Sequence, residues 1–298
     1  MKETSHATLA SDDCSRRYLF DDADVRGETV HLDRAFRDIT DLHEYAPGVR
    51  QLMGQFLAAS VLLSTNLKFE GRLILQARSS GQIPLLMVEC NHLLEIRAIA
   101  RGAEEATSED FNVLLADGQL AITIDPLDGQ RYQGIVPLVD GSLARSIDAY
   151  FQHSEQLNTR LWLAADGERA AGMLLQQLPA QLTPDTEARE RQWQRLVTLA
   201  ETVEGKELLN LPADHLLYRL FHEDHVRLLD AQGVRFHCSC SKQRTLRALS
   251  TLDPMEIEDI LQEQGAVTMD CEFCNQQYRF EREDLAELLG RRPENTLH

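Results

Sequence analysis

The sequence predicts an α+β protein in three parts: an N-terminal core with helices and a largely antiparallel sheet (1–182), a helical linker (183–232) and a small C-terminal four-cysteine domain (233–298). Three observations carry this reading. Strand-like runs follow one another between helical patterns in the first part, which is the signature of segregated helices and antiparallel strands. Residues 183–232 carry helical apolar faces, and four of the six cysteines of the chain fall after residue 237.

Along the core, PGVRQLMGQFLAASVLLSTNLKF places Val49, Leu52, Met53, Phe56, Leu57, Val61 and Leu67 on a helical period behind Pro47 and Gly48, and predicts a buried helix. GRLILQA, IPLLMVEC and LLEIRAIAR read as strands, followed by QLAITIDP and RYQGIVPLV around a turn containing Pro126 and Gly129. A helix begins near Ser142, and TRLWLAADGERAAGMLLQQL reads as a hairpin broken at Asp166-Gly167. In the linker, Trp193, Leu196, Val197, Ala200 and Val203 share one helix face. Leu216, Leu217, Leu220 and Phe221 do the same behind Pro212. Helices with so strong an apolar stripe have to dock on something.

The formal net charge is −18, and each part is net negative: 16 basic against 26 acidic residues in 1–182, 6 against 10 in 183–232, and 8 against 12 in 233–298. Nucleic-acid binding draws on a lysine and arginine excess, so a nucleic-acid partner is not expected. No apolar run reaches bilayer length and the N-terminal stretch lacks the apolar segment of a secretory signal, so no membrane association and a cytoplasmic location are expected.

Cytosolic cysteine clusters more often bind metal than form structural disulfides. Cys238 and Cys240 form a C-x-C pair, and Cys271 and Cys274 a C-x-x-C pair in VTMDCEFCNQQYRF, which reads as a knuckle hairpin. Helices are expected over Lys242–Ser250 and from Pro254 to Glu263, ending at Gly265. Two short cysteine pairs across a structured spacer supply a tetrahedral set for one Zn2+. His237, beside a full set of four thiolates, reads as a neighbour. A purely structural zinc is one reading; the other is redox-active, because a disulfide within so short a pair is strained and reducible and a metal-held thiolate is the form an oxidant attacks.

HCSCSKQRTLRAL followed by CEFCNQQYRF resembles the redox domain of the bacterial redox-regulated chaperone family, heat shock protein thirty-three, also called the 33 kDa chaperonin family. The likeness extends over nearly the whole chain, through YLFDDADVRGETVHL, LLSTNLKFEGRLILQ, ITIDPLDGQRYQGIVPL, YFQHSEQLNTRLWLA, AAGMLLQQLPAQ and ELLNLPADHLLYRLFHED. The resemblance implies an ATP-independent holdase that is not an enzyme. Its reduced, zinc-bound form is inactive. Oxidation pairs Cys238–Cys240 and Cys271–Cys274, releases zinc, unfolds the redox domain and linker, and gives a form, often dimeric, that binds unfolding client proteins. Trp193, Leu196, Leu216, Leu217, Leu220 and Phe221 are the candidate apolar residues bared in the linker. ATP independence agrees with the absence of a G-x-x-x-x-G-K-[ST] loop.

Two other classes fit parts of the chain. A zinc-ribbon binding module would need a basic face, which the C-terminal part lacks. A thiol oxidoreductase using Cys271 and Cys274 would need a βαβ setting, which the pattern does not offer. Cys90 ends an apolar strand and reads as a small buried hydrophobe. Cys14 reads as part of a polar, exposed tail, and His215, His222 and His225 as histidines without a carboxylate partner pattern.

Overall fold

Tyr18 and Phe20 are buried on one face of Cys14–Phe20 (β1) with the half-buried Leu19 between them, and the turn Asp21–Asp24 returns the chain through Val25–Leu32 (β2). The computed structural model describes residues 13–65, 70–138, 141–152 and 157–290, which divide into two compact units, one ending at His237 and the other beginning at Cys238.

In the first unit, α1 (Arg34–Thr40) leads to α2 (Pro47–Ser64), where Pro47 opens the helix. The sequence-derived helix therefore stops at Ser64; Leu67 lies outside the described residues. Next come β3 (Gly71–Arg78), β4 (Leu85–Asn91), β5 (Glu95–Arg101), α3 (Phe111–Leu114), β6 (Gln119–Pro126), β7 (Tyr132–Pro137), α4 (Leu143–Tyr150), β8 (Thr159–Ala165) and β9 (Ala170–Gln177). The linker segment forms α5 (Thr186–Ala200), α6 (Gly205–Asn210) and α7 (Ala213–Phe221), then β10 (Val226–Gly233) and the two-residue β11 (Arg235–Phe236).

These strands make a five-stranded sheet, β10-β1-β2-β9-β8, antiparallel throughout. They also make a six-stranded sheet, β11-β5-β4-β3-β6-β7, antiparallel except where β11 joins β5. Helix α2 packs on strands of both sheets, so it is apolar nearly all round: Leu52, Met53, Phe56, Leu57, Val61 and Leu62 are all buried. The α+β class and its largely antiparallel sheets are as the sequence predicts.

The period of two along a strand gives the five-stranded sheet two apolar faces. Val30, Leu32 and Leu174 belong to the core around α2. Tyr18, Phe20, Val25, Met173 and Leu175 point the other way and form a second core with Trp193, Leu196, Leu216, Leu217, Leu220 and Phe221 of the linker helices. Phe221 meets Phe20 edge-on at 5.1 Å between ring centroids. Gly27 makes room for the Tyr18 ring, since a Cβ there would lie 2.0 Å from its Cζ.

Both ends of the linker are tied to the β1–β2 turn. The Asp24 carboxylate accepts from the backbone N–H groups of Gln181 (3.1 Å), Leu182 (3.0 Å) and Thr183 (3.3 Å), and faces Arg189 at 3.6 Å. At the far end, Asp21 N–H donates to the His225 carbonyl at 2.9 Å, Arg227 pairs with Asp21 at 3.0 Å and His225 Nδ1 meets Asp22 at 2.6 Å. Burial by itself would raise the Asp24 pKa, but the three N–H donors and Arg189 together hold it below its ordinary 3.8. The charged clasp is then present above that value and is lost as pH falls through the lower folded one. Asp24→Asn is expected to remove about 1–3 kcal/mol from linker docking and to flatten its acid dependence. Hydrogen exchange of α5 between pH 3 and 6 reads this; an unchanged profile would contradict it.

Residues 226–232 read as part of a helical linker in the sequence, yet they form the edge strand β10. Only Val226 and Leu228 of that strand are half-buried and the rest is exposed, so side-chain alternation leaves little trace. Cys14 likewise stands in no polar tail: it opens β1, half-buried, between His31 and Gly233.

Candidate metal centre

In the second unit, α8 (Lys242–Leu249), α9 (Pro254–Gln264), β12 (Val267–Asp270), β13 (Gln277–Phe280) and α10 (Ala286–Leu289) surround a small core of Leu249, Ile257, Leu261, Val267, Phe280, Leu285 and Leu288. Asp253 caps α9 by accepting from Met255 N–H, Pro254 starts it, and Gly265 ends it in the left-handed region at φ 75°. The chain then enters the β12–β13 hairpin, registered from Val267 opposite Phe280 to Asp270 opposite Gln277.

That hairpin closes over the second cysteine pair. Cys271 N–H donates to the Gln276 carbonyl at 2.9 Å, while the Cys271 carbonyl accepts from Cys274 N–H (3.1 Å) and Asn275 N–H (2.7 Å). Asn275 takes φ 55°, a left-handed conformation asparagine tolerates better than most residues. The first pair lies just before α8, where Ser241 caps the helix through Arg244 N–H and Arg244 donates to the Ser239 carbonyl at 2.8 Å. Ser239, between Cys238 and Cys240, is thereby fixed to the helix that follows.

The four sulfurs lie within 4.8 Å of one another, with Cys238 Sγ 3.7 Å from Cys271 Sγ and Cys240 Sγ 3.3 Å from Cys274 Sγ. Four thiolates about 2.3 Å from a central tetrahedral ion stand roughly 3.8 Å apart, so this donor set fits a metal ion that favours sulfur. Among the described residues, no other group of three or more His, Cys, Asp or Glu side chains is placed to hold a metal. His237 ends the first unit with its N–H bonded to the Ile96 carbonyl at 3.1 Å.

The thiols are not equivalent. Burial raises the pKa of Cys271 and Cys274, and their bonds to neighbouring sulfurs add to it for Cys274. Burial opposes ionisation of Cys240 too, but the Tyr278 hydroxyl, 3.1 Å away, and the neighbouring thiols outweigh it and hold Cys240 below its ordinary value. Sequence reasoning missed Tyr278. The signal was its place in the hairpin: opposite Met269 on β13, it lies on the strand that leaves the cysteine turn.

The remaining candidates fall elsewhere. Cys90 is fully buried, and burial pushes its thiol up to about 12, as expected of an inert hydrophobe. His215 and His222 are exposed on and just after α7. His225 has a carboxylate partner after all, Asp22, which the sequence separation of 203 residues concealed. The six apolar linker residues lie on α5 and α7 and are all buried against the five-stranded sheet.

The profile of the family described as "Hsp33 protein" matches residues 13–281, nearly the whole chain. The chain belongs to the Hsp33 family. Among its Hsp33 relatives, the 33 kDa chaperonin of Pseudomonas paraeruginosa is 50% identical over 285 residues, covering 95% of this chain and 96% of that one. The 33 kDa chaperonin of Azotobacter vinelandii is 50% identical over 281 residues, covering 93% and 95%. The fold is also similar to the crystal structure of the Thermotoga maritima 33 kDa chaperonin, with a TM-score of 0.78 at 22% identity over 93% of this chain and 98% of that one. Membership of the Hsp33 chaperone family supports a chaperone role. No helix among the described residues is long and apolar enough to cross a membrane.

Proposed function

We propose that this Hsp33 chain is a redox-regulated, ATP-independent holdase of the cytoplasm, not an enzyme, which works without nucleic acid or membrane. The observation that carries the reading is the tetrad: four thiols at tetrahedral spacing, in a unit whose core cluster among the described residues holds seven buried apolar side chains. Cys238, Cys240, Cys271 and Cys274 are its Zn2+ ligands in the reduced state. Bound zinc holds the sulfurs as thiolates and supplies most of the folding free energy of a domain this small. Oxidation pairs Cys238 with Cys240 and Cys271 with Cys274. Each disulfide yields two electrons, which a peroxide accepts with two protons as it becomes water. All four ligands are consumed, and the domain over 233–298 unfolds.

The linker over 183–232 is the second part of the device, and 1–182 the core that binds clients and dimerises. Chain continuity from β10 into Cys238 passes the loss of order to the linker. Undocking bares Trp193, Leu196, Leu216, Leu217, Leu220 and Phe221 together with the sheet face beneath them, an apolar surface suited to unfolding proteins. Zinc release into a chromogenic chelator, followed during peroxide treatment at raised temperature alongside suppression of client aggregation, tests the reading. Both signals should rise together and reverse with reductant. Zinc that stays bound, or leaves with no gain in holding, would mark the site as purely structural.

A further inference from the structure

Strand β10 is the outermost strand of its sheet, and β1 lies directly inside it. With Val226 and Leu228 only half-buried and the other six residues exposed, β10 is held chiefly by backbone pairing. Asp21 N–H donates to the His225 carbonyl, and the Asp13 carbonyl accepts from Val234 N–H at 3.0 Å. Backbone groups alternate sides along a strand, so Ser15, Arg17 and Leu19 turn theirs toward β10 while Arg16 and Tyr18 turn theirs toward β2. A bulge on β10 places Ala231 opposite Arg16 and Leu228 opposite Tyr18, leaving two residues opposite Arg17.

β1 is fixed from the core side independently of the linker. It pairs with β2 from Cys14 to Leu19, and the Arg17 guanidinium donates to the Thr65 carbonyl at the end of α2. The Ser15 and Thr65 hydroxyls donate to the carboxylate of Glu28, which is 2% exposed. If β10 and the linker helices leave, β1 remains in place. It then has a row of unpaired backbone groups on its edge, with Tyr18 and Phe20 bare on one face.

We propose that this outer edge of β1 is a client-docking site: an extended stretch of an unfolded polypeptide, apolar at alternate positions, adds to it as an antiparallel strand in place of β10. The proposal rests on the holdase reading, since it needs the linker released. β10 shows what the edge accepts, an extended antiparallel segment setting Val226 and Leu228 against the apolar cluster. Recognition through main-chain bonds asks for no particular sequence, which suits a protein that must hold many partners.

Hydrogen exchange across β1 in the full-length protein tests this, with reduced, carboxymethylated α-lactalbumin as a permanently unfolded client. In the reduced protein the Ser15, Arg17 and Leu19 amides should exchange slowly. Oxidation should speed them at least tenfold, and client should slow them again at least tenfold, while Arg16 and Tyr18 stay protected throughout. Client held while Ser15, Arg17 and Leu19 still exchange fast would overturn the proposal. So would protection of those amides before client is added, which would mean that β10 stays or a second copy takes its place. Failure of the holdase reading is separate and visible, because oxidised protein would then hold no client at all.

Discussion

Cys271→Ser is expected to leave residues 238–290 without tight metal binding and without a stable fold, at temperatures where the core before residue 183 stays folded. The magnitudes decide this. A domain of this size draws only about 3–5 kcal/mol from its core, whereas a structural zinc contributes roughly 10–16 kcal/mol at neutral pH. The buried set of Leu249, Ile257, Leu261, Val267, Phe280, Leu285 and Leu288 is short for the domain it serves. The remaining contacts, Lys242 with Asp284 at 2.7 Å and Arg282 with Glu258, lie at the surface, where ion pairs contribute little. Metal content and limited proteolysis of the reduced variant check the outcome. Fast cleavage confined to the linker and the region after His237 is expected; a metal-free second unit that resists the protease as wild type does would refute the energetic argument. Phe280→Ala makes a useful contrast, because it cuts the core while leaving all four thiols in place.

Much of this architecture is legible in the sequence because its signals are local. The α8 and α9 boundaries follow from Ser241, Pro254 and Gly265, and the cysteine hairpin from alternation about a tight turn. The pattern of α2 shows burial, but only the two sheets explain why it is buried on every side. What stayed hidden depends on residues far apart in the chain. Strand β10 is made by pairing with β1, some 200 residues earlier, and its exposed side chains carry no period to read. Asp24 looks like one more surface carboxylate among 48 acidic residues until its three backbone donors from 181–183 are seen. Tyr278 sits in an ordinary strand, and only the folded hairpin brings its hydroxyl to Cys240. The linker stripe was visible, but its partner was not: it packs on Tyr18, Phe20, Val25, Met173 and Leu175 of the sheet.

Phe221→Ala is expected to uncouple holding from oxidation. Phe221 is 1% exposed at the end of α7, edge-on to Phe20 and 6.5 Å from the Tyr18 ring between centroids. Truncating a buried phenylalanine costs about 3–5 kcal/mol, and here the loss falls on the seam that attaches the linker to the sheet. The interior of the first unit around α2 is a separate cluster and should survive. The reduced, metal-loaded variant should therefore suppress client aggregation without oxidant, and Trp193, 4% exposed in the same cluster, should red-shift in fluorescence. Tyr218→Ala on the same helix is the control, because Tyr218 is 74% exposed and contributes nothing to the seam. Retained metal together with protected amides in β3 and β6 would show that only the linker has moved. A reduced variant with Trp193 exposed and no holding would mean that undocking alone does not create the client surface. The second unit would then have to contribute more than a latch.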